Sequence, residues 1–137
     1  MTNIRTNGLH PDRLFDSCPE QRAIARELYA SVSKLPIVSP HGHTDPAWFA
    51  DNHPFTNATE LLVLPDHYLL RRLYSQGLSM AALGVEPVAG TAAADPADVW
   101  QIFGDHYHLF RGTPTQLWMD HVFGEVFGIA ERFNGGN

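Results

Sequence analysis

A single short run of β-branched residues, set among several amphipathic helical patterns, constrains the fold of this chain more than any other feature. Residues 36–39 read Pro-Ile-Val-Ser and are followed by Pro40, so they are too short for a helix and predict a short buried strand. A buried strand must pair, because unsatisfied backbone groups in a core are costly. The sequence offers no second convincing strand, so we expect this one to pair with sequence outside the 137 residues.

Apolar residues at intervals of three or four predict four longer helices, and a brief helical turn is expected after Asp45-Pro46. Each longer helix is preceded by residues that suit a helix start. The starts are Ser17-Cys18-Pro19-Glu20 (a capping box), Pro65 (a helix to about Gln76), Asp95-Pro96 and Thr113-Pro114-Thr115-Gln116. The predicted packing faces are Ile24/Leu28/Val32/Leu35, Leu69/Leu70/Leu73, Val99/Trp100/Phe103/Tyr107/Phe110 and Leu117/Trp118/Val122/Val126/Phe127.

Composition excludes several classes of protein. A hydrophobic fraction of 44% allows a real core and argues against global disorder. The formal net charge is −6 and no stripe of Lys or Arg occurs, so nucleic acid is not an expected partner. Neither a secretory signal nor an apolar run of membrane-spanning length is found, so no membrane partner is expected. Cys18 is the single cysteine, which fits a reducing compartment, and we expect a cytoplasmic protein.

The tripeptide His41-Gly42-His43 follows the predicted strand directly and is the strongest candidate for a metal site. Side chains at positions i and i+2 of an extended segment point to one side, so both imidazoles could bind one divalent ion, with zinc the best fit. Zinc takes three or four protein ligands, and no other pair here has a spacing that completes the set. The alternative is that both histidines only cap a turn.

A second polar group opens the helix predicted from Pro65. His67 is suited to acid–base chemistry, Tyr68 offers a hydroxyl to a sugar oxygen, and Arg71 offers a planar fork to a carboxylate. Structural roles for all three residues are equally compatible with their chemistry.

Six blocks of the sequence, in order and spacing, resemble the opening of uronate isomerase (glucuronate isomerase), a family of the amidohydrolase superfamily. The resemblance covers nearly the entire chain. The blocks are residues 9–15 (Leu-His-Pro-Asp-Arg-Leu-Phe), 37–46 (Ile-Val-Ser-Pro-His-Gly-His-Thr-Asp-Pro), 65–68 (Pro-Asp-His-Tyr), 73–77 (Leu-Tyr-Ser-Gln-Gly), 107–114 (Tyr-His-Leu-Phe-Arg-Gly-Thr-Pro) and 117–123 (Leu-Trp-Met-Asp-His-Val-Phe).

The resemblance implies an α/β fold, the metal-dependent (β/α)8 barrel of TIM type. Residues 1–137 would be a single partial domain: the first barrel strand, near residues 36–39, and a mostly α-helical insertion. It also implies an enzyme that isomerises hexuronates, D-glucuronate to D-fructuronate and D-galacturonate to D-tagaturonate. Family members are much longer than this chain, so we expect the chain alone to be inactive. The expected partner is the small-molecule substrate, and a homo-oligomer is possible.

On the matching positions, His41 and His43 would be the metal ligands, and His67 and Tyr68 the active-site pair beside the substrate. Arg71 is the candidate for binding the substrate carboxylate. The family's late-barrel Asp ligand and its neighbouring Arg have no counterpart in this sequence. Two alternatives stay open: a metal-dependent hydrolase of the same superfamily, and a non-catalytic helical module.

Overall fold

The computed structural model describes residues 9–39, 41–85, 89 and 93–137. Throughout those ranges the regular structure is helical. The α-helices are α1 (Pro19–Val32), α2 (Ala47–Asp51), α3 (His67–Tyr74), α4 (Pro96–Asp105) and α5 (Pro114–His121). Wider π-helical turns occur at Thr59–Val63 and Val122–Val126, and a 3-10 turn occurs at Tyr107–Phe110.

The strand predicted at residues 36–39 does not form within this chain, since no strand occurs in the described parts of the structure. Residues 36–39 have no regular secondary structure, and the side chains of Ile37 and Val38 are 94% and 90% exposed. A β-branched run favours an extended backbone, but a strand also requires a neighbour whose N–H and C=O groups it can bond. No such neighbour is found among the described residues.

Local capping chemistry sets the starts of α3, α4 and α5. The Asp66 carboxylate accepts hydrogen bonds from the backbone N–H groups of Tyr68 and Leu69, so the N-cap is Asp66 and the helix does not begin at Pro65. Asp95 accepts from Ala97 N in the same way, as its pairing with Pro96 predicts. These bonds satisfy amide groups that have no partner inside the helix.

The capping box predicted for α5 forms with one change of partner. The Thr113 hydroxyl accepts from the N–H of Gln116, as in the standard motif. The Gln116 amide oxygen then accepts from the N–H of Gly112 at 3.2 Å. The Thr113 N–H instead bonds the carbonyl of Phe110, which joins α5 closely to the preceding 3-10 turn.

The capping box predicted for α1 does not form. Cys18 is the N-cap and makes no side-chain capping bond, so Ser17 does not take that role. The Cys18 thiol donates to the Glu20 carboxylate at 3.0 Å, and this bond is the leading cause of a lowered pKa at Glu20.

One hydrophobic core joins α3, α4, α5 and the turns between them. The predicted faces of α3 and α4 are confirmed, because Leu69, Leu73 and Phe103 are completely buried. Fully burying side chains of this size stabilises a fold by roughly 1.5–3 kcal/mol each. The core side chains are Leu62, Val63, Leu69, Leu70, Leu73, Leu83, Val99, Phe103, Tyr107, Phe110, Met119 and Phe123.

A buried hydrogen bond fixes which face of α5 meets this core. The hydroxyl of Tyr107 donates to the carboxylate of Asp120 at 2.8 Å. Burial raises the Tyr107 pKa well above its usual value, and the bond to Asp120 raises it further. With Asp120 turned inward, Met119 is buried, whereas Trp118 is 48% exposed. The prediction that Trp118 packs in the core is therefore wrong.

The predicted apolar face of α1 finds no cover among the described residues. None of the 14 residues of α1 is buried, and Ile24, Leu28 and Val32 are 51–65% exposed. Arg26, in the middle of α1, attaches the helix to the preceding segment: its guanidinium donates to the Asp12 carboxylate and lies 4.9 Å from the centre of the Phe15 ring. The apolar side of α1 is thus a large unpartnered surface.

Across the described ranges, the helices are all too short or too polar to span a lipid bilayer.

Candidate active site

Four aromatic side chains from two separate segments meet in one place. The His41 and His43 ring centroids are 5.2 Å apart with their planes nearly perpendicular, at 82°. His67 stacks on His43 at 4.5 Å, and Tyr68 lies 4.2 Å from His67 and 5.9 Å from His43. We call these four residues the His-Tyr cluster. It unites two groups of residues that the sequence analysis assigned to metal binding and to acid–base chemistry.

Short-range hydrogen bonds hold both halves of the His-Tyr cluster. Ahead of the first half, the Ser39 hydroxyl donates to the carbonyl of His41 at 2.6 Å. After it, the Asp45 carboxylate accepts from Ala47 N at 2.9 Å, at the start of the helical turn predicted there. The second half is the first turn of α3, which is held by the bonds from Asp66 described above. Each half is thus fixed by polar residues that immediately neighbour it.

The His-Tyr cluster is accessible to solvent. His41 and His43 are exposed, Tyr68 is 61% exposed, and His67 is half-buried. The rings could therefore meet a ligand, or further polypeptide, without rearrangement of the core.

The spacing of the His41 and His43 rings is compatible with two imidazoles that share one tetrahedral zinc ion. Zinc–nitrogen bonds of about 2.0–2.1 Å at a tetrahedral angle place two imidazole centroids roughly 5 Å apart, close to the separation found here. His67 lies over the face of the His43 ring, which suits a neighbour of the ligand better than a third ligand. In the described parts of the chain, no three His, Cys, Asp or Glu side chains form a group that could hold a metal ion. The two imidazoles would thus need further ligands from elsewhere.

Arg71 lies one turn along α3 from His67 and is exposed. Within the described ranges its guanidinium makes no hydrogen bond or ion pair. The ring contacts join His41, His43, His67 and Tyr68, and Arg71 stays a candidate on the next turn of the same helix.

His106 and His108 each bond a nearby backbone carbonyl. His106 Nδ1 bonds the carbonyl of Ile102 at 2.8 Å, and His108 Nδ1 bonds that of Asp105 at 3.1 Å. These contacts indicate structural roles for both residues.

A cleft beside the His-Tyr cluster contains residues that sequence reasoning missed. His43 and Tyr68 form one side, and Trp48 of α2 and Trp118 of α5 also line it, together with Asp66. Trp48 packs edge-on against Phe55 at 4.8 Å. Helical spacing assigned Trp118 to the core, so nothing in the local pattern signalled that these two indoles meet one cleft.

Comparison with known proteins identifies the family. A family model described as glucuronate isomerase matches residues 17–137. A uronate isomerase from Xanthomonas euvesicatoria is 60% identical over 130 residues, which are 94% of this chain and 28% of that protein. A uronate isomerase from Sphingopyxis alaskensis is 63% identical over 121 residues, which are 88% of this chain and 25% of that protein.

A solved structure gives the same result for the fold. The crystal structure of glucuronate isomerase from Caulobacter crescentus superposes with a TM-score of 0.86 at 55% identity. The match covers 96% of this chain and 27% of that one, so the chain spans about a quarter of the length of these relatives. Because the family model matches residues 17–137 of this chain and the fold is shared with a solved member, the chain belongs to the glucuronate isomerase family.

Proposed function

We propose that this chain supplies the metal-binding first part of a hexuronate isomerase that interconverts D-glucuronate with D-fructuronate and D-galacturonate with D-tagaturonate. The observation that supports this most directly is the His-Tyr cluster, in which His43 lies within 6 Å of the second candidate ligand, His41, and of both candidate acid–base groups, His67 and Tyr68. The family membership gives the class of substrate, a small sugar acid.

The isomerisation sets clear demands on the protein. Converting an aldose to a ketose opens the sugar ring and moves hydrogen between C2 and C1, so a positioned acid–base group is required. In this proposal His67 holds and transfers the proton, because an imidazole nitrogen can accept a proton and donate it again, and because the place of His67 in α3 is fixed by Asp66. The Tyr68 hydroxyl bonds a sugar oxygen and orients it toward His67. Arg71, exposed on α3, is proposed to bind the substrate carboxylate.

His41 and His43 would hold a divalent cation, with zinc the first candidate because it commonly takes imidazole ligands. The 5.2 Å separation of the two ring centroids allows both rings to reach one ion. A bound cation would supply Lewis-acid chemistry, polarising the carbonyl oxygen of the open-chain sugar. The chain's own contribution is to orient the two rings, through the Ser39 bond and the stacking of His67 on His43.

The surrounding fold is proposed to be a (β/α)8 barrel, with residues 36–39 as its first strand once neighbouring strands are present. Two observations support this. Ile37 and Val38 are almost fully exposed although their residue types favour burial, and the apolar side of α1 is uncovered. Active sites in such barrels lie at the carboxyl ends of strands, which is where His41 and His43 follow residues 36–39. A cytoplasmic location and assembly into a homo-oligomer stay predictions.

A hybrid enzyme tests the proposal. This chain replaces the matching 130 residues of the Xanthomonas euvesicatoria uronate isomerase, to which it is 60% identical. We expect the hybrid to convert D-glucuronate and D-galacturonate to their ketoses. Chromatography that separates substrate from product measures this conversion. Hydrolysis of amides or lactones without isomerisation would favour a hydrolase. A folded hybrid that binds metal and is inactive on every substrate would contradict the proposal.

A further inference from the structure

The cleft beside the His-Tyr cluster has the size and lining of a subsite for a small ligand. Its volume is about 270 Å³, near the lower end of the roughly 300–1,000 Å³ usual for small-molecule sites. Apolar side chains, including Leu61, share the lining with a few polar groups, which is the usual composition of such sites.

Two indoles belong to this lining and are available to a ligand. Trp118 is 48% exposed although it lies on a helix whose next residue, Met119, is completely buried. Trp48 is half-buried, and its edge-on contact with Phe55 fixes the position of the indole. Rigid aromatic side chains of this kind offer a large contact area at a low cost in conformational entropy.

The charges around the cleft restrict which part of a sugar acid could enter it. Neither Lys nor Arg is among the described residues that line it, and Asp66 adds a carboxylate. A substrate carboxylate placed here would be desolvated without a cation and repelled by Asp66. Hydroxyl groups, in contrast, could bond to Tyr68 and Thr44, while the C–H groups of the carbon chain contact the indoles.

We propose that Trp48 and Trp118 are substrate-positioning residues that bind the uncharged, hydroxyl-bearing carbons of the hexuronate, with its carboxylate directed away from this cleft. The inference rests on the proposed isomerase function and deepens it, because it assigns an orientation to the substrate. His43 and Tyr68 form part of the same wall, so a sugar held against the indoles lies directly beside the His-Tyr cluster.

Kinetics of the hybrid enzyme test this assignment. Trp118→Ala should raise KM by about three- to tenfold, as expected for a lost aromatic contact, and change kcat much less. Trp118→Phe keeps a ring and should recover most of the affinity. An unchanged KM in Trp118→Ala, in a hybrid that isomerises hexuronates, would overturn the inference while leaving the isomerase function intact.

Inhibition by two substrate analogues tests the orientation. L-gulonate, the C1-reduced form of D-glucuronate, keeps the substrate carboxylate, and D-glucitol is the corresponding neutral polyol; Trp118→Ala should weaken inhibition by both to the same extent. A loss confined to L-gulonate would mean that the cleft binds the carboxylate and would overturn the inference.

A binding measurement on the 137-residue chain does not depend on turnover. Binding of D-glucitol should change the intensity or wavelength of tryptophan emission saturably in the wild-type chain and in the matched control Trp100→Phe, because Trp100 packs among Phe103, Phe123 and Phe133 outside the cleft. The change should disappear in Trp48→Phe/Trp118→Phe. An equal change in that double variant, or none in the wild type, would overturn the assignment even if the hybrid is an active isomerase.

Discussion

The imidazole of His43 stacks on that of His67 with ring centroids 4.5 Å apart, although His43 precedes α2 and His67 opens α3. This contact connects a candidate metal ligand to a candidate proton carrier. It also depends on tertiary structure, because α3 must be held in the core for His67 to reach the ring of His43. Changes in the core of α3 and changes in the His-Tyr cluster should therefore both affect the site.

Metal binding should depend on His41 and His43 together. We expect the hybrid enzyme to contain zinc or another divalent ion, and His43→Ala to lower the bound metal to a small fraction of a mole per mole of protein. Removing one imidazole leaves a single ligand from this segment, which is too few for a stable site. Elemental analysis after gel filtration is the measurement. His108→Ala is the control, because the His108 ring hydrogen-bonds a nearby backbone carbonyl. Full metal content in His43→Ala would contradict the assignment.

Stability should fall in alkaline solution because of Tyr107. Burial and the Asp120 bond raise its pKa in the folded chain, whereas the unfolded chain keeps a value of about 10. Below that pH the Tyr107 hydroxyl is protonated in both the folded and the unfolded chain, and its contribution to the free energy of unfolding is complete. As pH rises above about 10 the unfolded state ionises first, so the free energy of unfolding decreases. Urea unfolding of the 137-residue chain at pH 8 to 11 measures this effect.

The matched variant for that experiment is Tyr107→Phe. Its free energy of unfolding at pH 8 should be lower by about 1–3 kcal/mol, because Asp120 loses a buried donor. Above pH 10 the free energy of unfolding of the variant should fall less steeply than that of the wild-type chain. An equally steep alkaline decline in the variant would exclude Tyr107 as its cause.

The apolar face of α1 should respond differently in the chain and in the complete enzyme. Leu28 is 65% exposed here, so Leu28→Lys should change the stability of the 137-residue chain by no more than about 0.5 kcal/mol. In the hybrid, where further polypeptide is proposed to cover α1, the same change should lower the melting temperature markedly. Leu69→Ala is the control for a true core position and should cost about 2–5 kcal/mol in the chain. Equal melting temperatures for the hybrid and its Leu28→Lys variant would show that α1 stays uncovered.

The sequence predicted those features that depend on near neighbours. Asp95 and Thr113 cap α4 and α5 as expected, because an N-cap bond needs only residues two or three positions away. The strand at residues 36–39 could not be decided in this way, since a strand forms only with a partner. The capping box predicted at Ser17 was also wrong, because the N-cap of α1 is the neighbouring residue Cys18.

The candidate site was accessible to sequence reasoning only in part. The spacing of His41 and His43 and the helix start at Asp66 are local patterns, so both halves of the His-Tyr cluster could be selected from the sequence. The contact between the two halves depends on tertiary packing, which the spacing of apolar residues along the sequence does not predict. The cleft was missed for a similar reason: α5 turns Met119 and Asp120 toward the core, where Asp120 accepts a hydrogen bond from Tyr107, and this leaves Trp118 exposed.

The turnover of the hybrid enzyme with His67→Ala tests the central claim most directly. If the His-Tyr cluster is the active site, kcat for D-glucuronate should fall by about 10²–10⁴-fold, the usual contribution of a positioned acid–base group. His108→Ala should keep kcat near the unmodified value. A His67→Ala enzyme that is folded, contains metal and turns over at the unmodified rate would contradict the account.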